Sequence, residues 1–339
     1  MSERIQLAHG GGGTLMHQLI ERELKALYTD PAEVLHDAAA FDAPAGRLAF
    51  TTDGYVVQPL EFPGGDIGSL AITGTANDLA MAGARPLRLS VGLILEEGLE
   101  LELLRRVVQS MRQAAEHCAV QVVTGDTKVV ERSKADGVFI TTSGIGVVEA
   151  TADPHPTAIR PGDQLLVSGD LGRHGVAILA ARHGLALHPP VLSDCAPLWP
   201  LVQQLLAAGV QPHCLRDLTR GGLASALQEL AAAAGAPLRI EEERLPVIEP
   251  VRRTCELLGF DPLHLANEGR FLAVVAPEQC EAALQVLEPG GGSWIGEVLT
   301  PPDARAARLP GVARVLLRTG LGTQRVLLPL SGELLPRIC

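Results

Sequence analysis

The sequence predicts a two-domain α/β (α+β) protein with a short separate tail, and three observations carry that expectation. At 339 residues the chain exceeds the size at which a single core usually keeps growing. In both halves short apolar runs alternate with amphipathic stretches, the pattern of packed sheet and helix layers. Between the halves, residues 149–162 carry Pro154, Pro156 and Pro161 with little periodicity, as a linker does. The boundaries follow as residues 1–153, residues 154–330, and a tail over residues 331–339.

Taken in order, Gly10-Gly11-Gly12-Gly13 precedes a helix with Leu15, Leu19, Ile20, Leu24 and Leu27 at helical spacing. A strand is expected over 47–57, a helix over 66–84 and a second strand over 86–95. Residues 101–118 form an amphipathic helix, because Leu101, Leu104, Val108, Met111 and Ala115 share a face. A third strand over 120–123 leads into Gly125-Asp126-Thr127-Lys128, and a fourth covers 137–148. The second half opens with a strand at 164–167, followed by helices over 172–183 and 198–207. Gly221-Gly222 opens an Ala-rich helix to Ala234, and a helix over 277–287 lies between strands at 271–275 and 294–298. A last strand is expected at 325–328.

Composition excludes several classes. The net charge of −11 and 3% aromatic content argue against nucleic acid, which calls for clustered cations and stacking platforms. No run approaches the roughly 18 apolar residues of a membrane span. The first residues lack the apolar core of a signal peptide, which points to the cytoplasm. Six cysteines lie far apart with no Cys-x-x-Cys pair, so reduced thiols are expected. Cys339 stands apart as the final residue of a Pro-containing tail that should be extended rather than helical. From Ser331 such an arm spans roughly 30 Å when fully extended, placing a thiol where it can visit an active site and a second protein.

Acidic residues recur beside Gly or Thr in His36-Asp37-Ala38-Ala39, Thr51-Thr52-Asp53-Gly54, Thr75-Ala76-Asn77-Asp78 and Gly125-Asp126-Thr127-Lys128. Any one of these suits a turn or a helix cap. Four in one half favour a metal–phosphate site, because carboxylates at a shared sheet edge suit Mg²⁺ and leave positions for phosphate oxygens. Lys128 lies two residues from Asp126 and, in an extended strand, shares its face, for phosphate binding or proton transfer. Asp217 opens the polar run into Gly221-Gly222. Asn267-Glu268-Gly269 precedes a strand, where Glu268 is either a general base or part of a β-turn. No Walker motif occurs, so a nucleotide site must be of another kind.

The ordered set Gly10–Gly13, Thr52-Asp53-Gly54, Gly74-Thr75-Ala76-Asn77-Asp78, Gly125-Asp126-Thr127-Lys128, Asp217-Leu218-Thr219-Arg220-Gly221-Gly222 and Asn267-Glu268-Gly269 resembles the aminoimidazole ribonucleotide synthetase (PurM-like) superfamily. The ending Pro336-Arg337-Ile338-Cys339 is similar to the HypE family of hydrogenase maturation factors. The resemblance implies an N-terminal domain that shares a β-barrel with its copy in a homodimer, and an α/β C-terminal domain. It implies ATP bound by Gly10, Gly11, Gly12, Gly13, Asp53, Asn77, Asp78, Gly125, Asp126, Thr127 and Asp217. Mg²⁺ would sit on Asp53, Asp78 and Asp126, with Asp37 as a weaker fourth ligand. Cys339, Lys128 and Glu268 would be catalytic. The implied reaction is ATP-dependent dehydration of an S-carboxamide on Cys339 to a thiocyanate. The carboxamide comes from the carbamoyltransferase HypF, and the cyano group passes to the HypC–HypD complex as a ligand for [NiFe]-hydrogenase iron. Readings that do without a terminal cysteine are a cyclo-ligase or kinase on the same fold, or a nucleotide-gated delivery protein.

Overall fold

A computed structural model describes residues 4–28, 37–151, 153–301, 315–329 and 335–339. Contacts divide it into one unit of Met1–Ala80, Ala84–Val148 and Arg337–Cys339, and a second of Met81–Gly83 and Glu149–Pro336. The division falls at Val148 because strand pairing runs that far, while the N–H groups of Glu149 and Ala150 both turn to the carbonyl of Gly83. The sequence reading set residues 331–339 apart as a third piece. In the structure the last three residues cluster with the first unit.

The first unit comprises α1 (Thr14–Leu19), β1 (Leu48–Tyr55), β2 (Glu61–Phe62), β3 (Gly65–Asp66), α2 (Ile67–Met81), β4 (Ala84–Glu96), α3 (Leu101–Cys118), β5 (Gln121–Val130) and β6 (Val138–Val148). Its main sheet has the order β1-β6-β4-β5, with β4 and β5 parallel and the other neighbours antiparallel. A parallel pair needs a long crossover, and α3 supplies it. As its spacing predicts, α3 buries Leu101, Leu104, Val108, Met111 and Ala115. By contrast, α2 is apolar nearly all round, because it is covered on two sides. A Cβ on Gly68 would lie 2.5 Å from the carbonyl oxygen of Val107 on α3, and one on Gly74 would strike the Tyr55 hydroxyl on β1.

One face of this sheet is thus covered by helix and the other is open. Along β1 exposure alternates with period 2: Thr51, Asp53 and Tyr55 face the helix, whereas Leu48, Phe50 and Thr52 are exposed. The β5 strand is longer than its apolar core suggests and runs to Val130, so Gly125-Asp126-Thr127-Lys128 lies within a strand rather than in the loop after it. Its register against β4 slips by one residue between Leu89 and Ser90, leaving Val123 as a bulge.

The second unit comprises β7 (Gln164–Val167), α4 (Arg173–His183), α5 (Trp199–Ala207), β8 (Cys214–Asp217), α6 (Gly222–Ala234), β9 (Leu238–Glu241), α7 (Glu249–Leu258), β10 (Phe271–Val275), α8 (Cys280–Leu287), β11 (Ser293–Val298), β12 (Val315–Arg318) and β13 (Gln324–Val326). The sheet order is β13-β12-β9-β11-β7-β10-β8, antiparallel except for β12 beside β9. Leu223, Leu227 and Leu230 of α6 pack with Leu165, Val167, Leu272 and Val274 of the central strands. The sequence reading lacked β8, β9, β12 and α7. The three strands have only four residues each, and α7 buries just Val251, Thr254 and Cys255 on an otherwise charged helix.

Gly68→Ala should force α2 and α3 apart, since the added methyl meets backbone rather than a flexible side-chain end. The expected cost is about 1–3 kcal/mol, read as a lower urea midpoint and a melting temperature reduced by roughly 2–10 °C.

Candidate active site

The close seat of α2 decides where its acidic motif lies. Thr75 on α2 is hydrogen-bonded to the Tyr55 hydroxyl at 3.1 Å and also to Thr142 of β6. One turn on, Asp78 Oδ2 accepts the Thr51 hydroxyl at 2.9 Å. Asp53, two residues beyond Thr51 on the same face, is half-buried, and its Oδ1 accepts the Gly54 N–H at 2.7 Å. Asn77 is buried beside them on α2. The structure thus brings Asp53, Asn77 and Asp78 to the β1 edge of the helix-covered face.

Asp126 and Lys128 lie elsewhere. Asp126 is in register with Gly92 and, across β4, with Thr141 and Gly54, all on the open face. β1 and β5 are the two outer strands of the sheet, three strand spacings apart, or roughly 14 Å. The expectation that the acidic motifs converge on one sheet edge is therefore corrected: within one chain Asp53 and Asp126 occupy opposite edges and opposite faces. Among the described residues no three His, Cys, Asp or Glu side chains gather as a metal cluster. Asp37 sits exposed in a bend, and His36 of its motif lies outside the described residues.

At the β5 edge, Lys128 Nζ approaches Asp126 Oδ2 at 2.7 Å, as their two-residue spacing predicts. That hydrogen bond is the main reason the Asp126 carboxyl is held below its usual range. The Tyr28 phenol overhangs this strand and titrates above its ordinary range, first through burial and then through the nearby Asp126 charge. Gly125 is required here, because a Cβ would meet the Val91 carbonyl and, at 2.7 Å, the Tyr28 hydroxyl. The glycine run arrives at the same edge: a Cβ on Gly10 would sit 3.0 Å from Cβ of Val129. Gly12 adopts φ +75°, while Gly11 and Gly13 have room for a side chain. Thr127 points the other way and is buried.

The terminal cysteine is docked. The N–H of Val56 donates to the Cys339 carbonyl at 3.1 Å, and the N–H of Gln58 to the Arg337 carbonyl at 3.2 Å. Ile338 between them is buried. Arg337 adopts φ +56°, pairs with Asp136, donates from Nε to the Val56 carbonyl at 3.1 Å, and lies 6.0 Å from the Phe139 ring centroid. Phe139, Ile94 and Lys128 form one cross-strand row on the open face. The tail's arginine therefore stands beside the Phe139 end of the row, and Lys128 lies at the other end, about 10 Å from Phe139 by strand spacing.

In the second unit, Asn267 is fully buried and joins three loops. Its Oδ1 accepts the Gly172 N–H at 2.7 Å, and its Nδ2 donates to the carbonyls of Leu218 and Leu265 at 3.2 and 3.1 Å. Asn267-Glu268-Gly269 is thus a buried clamp rather than an ordinary β-turn. Asp217, at the end of β8, accepts the Thr219 hydroxyl at 3.3 Å. Asp194 accepts the N–H groups of Glu268 and Gly269 at 3.2 and 3.3 Å. Sequence reasoning missed Asp194, Tyr28 and Asp136; only Asp136-Gly137 carried a local signal, that of a turn.

Comparison with known proteins follows the same division. Family models described as AIR synthase related protein match the chain, the N-terminal domain over residues 35–148 and the C-terminal domain over residues 160–306. The chain is 48% identical over 344 residues to carbamoyl dehydratase HypE of Rhodobacter capsulatus, covering 99% of this chain and 98% of that one. It is similar to a crystal structure of the hydrogenase maturation protein HypE in complex with ATP, with TM-score 0.92 and 45% identity over 98% of this chain and 99% of the other. A crystal structure of a HypE–HypF complex matches at TM-score 0.78 and 39% identity over 94% of this chain and 100% of the matched chain.

Asp136→Ala should loosen the docked tail and speed alkylation of Cys339 about two- to fivefold, as expected for loss of a half-exposed ion pair. Peptide mass spectrometry at pH 8 reads this directly. Cys118, Cys214 and Cys255 should stay unlabelled in both proteins, since burial pushes their thiols up to about 11, 12 and 11.

Proposed function

The chain belongs to the HypE carbamoyl dehydratase family of AIR synthase related proteins, and from that membership we propose how its residues act. It is an ATP-dependent dehydratase of [NiFe]-hydrogenase maturation that turns an S-carboxamide into a thiocyanate. We assign the carrier thiol to Cys339. One observation carries this assignment: the chain ends in a cysteine whose tail, through Arg337, is seated beside the cross-strand row that ends at Lys128.

The chemistry balances as follows. The carboxamide oxygen attacks the terminal phosphorus of ATP and ADP leaves. Loss of the two N–H protons and cleavage of the C–O bond then release phosphate and leave S–C≡N. Hydroxide would be a poor leaving group; phosphate is a good one. Phosphoryl transfer is mainly a matter of positioning and charge neutralisation. Lys128, already donating to a carboxylate, is placed to meet phosphate oxygens beside Gly10 to Gly13 and Gly125, whereas Thr127 is buried on the other face. Glu268 takes an amide proton, and Asp217 lies on a neighbouring loop in the same unit. Asp53 and Asp78, two hard-oxygen donors on one face, fit Mg²⁺, which would neutralise phosphate charge when bound. Asp126 is already satisfied by Lys128 in this chain.

Because Asp53 and Lys128 lie at opposite edges of one sheet, the site needs a second copy. A homodimer closing a shared barrel over the open face of Leu48 and Phe50 brings the β5 edge of one protomer to the β1 edge of its partner. HypF supplies the carboxamide, and HypC–HypD receives the cyano group, in the cytoplasm. No helix among the described residues is long and apolar enough to cross a membrane. The tail leaves its seat to reach these partners.

Intact-mass analysis tests the reaction. With the transferase, carbamoyl phosphate and ATP, Cys339 should gain a carboxamide and then lose one water only when ATP is present. An unmodified Cys339 under conditions where the transferase is active, or equal modification of Cys339→Ser, refutes the assignment. Subunit exchange tests the shared site. Asp53→Asn and Lys128→Ala chains, each inactive, should regain about a quarter of wild-type activity when mixed equally. No recovery in a mixture proven to exchange subunits means both residues act within one chain.

A further inference from the structure

His174 lies in the first turn of α4 and is fully buried, with its two ring nitrogens facing different partners. Nδ1 is 2.9 Å from Oγ of Ser193, and Nε2 is 4.0 Å from Oε1 of the buried Glu268. Ser193 is itself fixed, since its Oγ accepts the Cys195 N–H at 3.2 Å. Asp194, the residue between, binds the backbone of Glu268 and Gly269. Gly269 admits nothing larger, because a Cβ would run into the Asp194 carbonyl. The segment 193–195 therefore sets both members of the pair, the imidazole through Ser193 and the glutamate backbone through Asp194.

A buried carboxylate needs directed donors. The imidazole, with Nδ1 held by the serine, presents Nε2 to Glu268. At 4.0 Å the contact is electrostatic rather than a hydrogen bond, and catalytic contacts are often this loose before substrate binds. We propose that His174, held by Ser193, is a positioning residue for Glu268. Its Nε2 fixes the carboxylate in the orientation that takes the carboxamide proton. The proposal rests on the reading of Glu268 as the base.

Single-turnover dehydration of full-length protein, loaded with carboxamide by the transferase and followed by intact mass, separates the two claims. His174→Leu should slow dehydration at saturating ATP at least about tenfold, with the ATP concentration for half-maximal rate unchanged. His174→Gln, whose amide nitrogen can occupy the Nε2 position, should recover to within about threefold of wild type. Ser193→Ala should fall between them. Wild-type rate in His174→Leu overturns the proposal, as does an equal fall in His174→Leu and His174→Gln. Glu268→Gln reads the base alone. Loss in Glu268→Gln with full rate in His174→Leu leaves the base standing and refutes the positioning role. Full rate in Glu268→Gln refutes the base, and the positioning role with it. Should His174→Leu fail to fold, judged by its melting curve, His174→Gln and Ser193→Ala still decide. Wild-type rates in both refute the proposal, and a graded loss supports it.

Discussion

The first unit depends on how closely α2 can approach its neighbours. Gly68 lets α3 lie against it on one side and Gly74 admits the Tyr55 hydroxyl on the other. A helix set back by even one methyl group on the sheet side would separate Asp78 from the Thr51 hydroxyl it accepts. It would also part Thr75 from Tyr55 and Thr142. The acidic motif is therefore placed by residues with no chemistry of their own. Close packing leaves no slack to absorb the difference, so glycine at these two positions is a geometric requirement.

Much of this was legible in the sequence, and the failures have physical causes. The two-layer architecture follows from periodicity, and α3 was readable to the residue because its apolar face is continuous. The pairing of Asp126 with Lys128 follows from the two-residue repeat of a strand. What periodicity cannot supply is which strand lies at which edge. Four acidic motifs beside Gly or Thr suggested one site, whereas the order β1-β6-β4-β5 puts two of them as far apart as the sheet allows. In the second unit the motif Asn267-Glu268-Gly269 was visible, but the partners that fix it were not. His174 comes from α4 and Ser193 and Asp194 from the segment before α5, and they meet the motif only in the folded chain. The short strand Leu238-Arg239-Ile240-Glu241 escaped because four residues with two charges carry too weak a signal.

The tail's seat suits a residue that must both dock and depart. It includes a pair of backbone hydrogen bonds, the Arg337 Nε bond to the Val56 carbonyl, one half-exposed ion pair, a distant ring contact and the buried Ile338 side chain. The polar and ring contacts each contribute about 1 kcal/mol or less in net terms, and burial of the isoleucine side chain about 1.5–3 kcal/mol. Their sum favours docking without locking it. Arg337 adds a restraint of its own, since a left-handed backbone angle on a non-glycine residue persists only where its surroundings hold it.

The bulge at Val123 has a consequence for how such a sheet can evolve. Before it, Val122 is buried under the helices; beyond it, Asp126 and Lys128 are exposed and Thr127 is buried. Pair the strand without a bulge, Val123 opposite Ser90, and the alternation inverts: every later residue slips by one, the carboxylate and the ammonium are driven beneath the helices and the threonine is turned outward. The chemical character of that edge is thus written in strand register as much as in side-chain identity. Deletion of Val123 alone would straighten the strand and keep Asp126 opposite Gly92, with its carboxylate still on the open face.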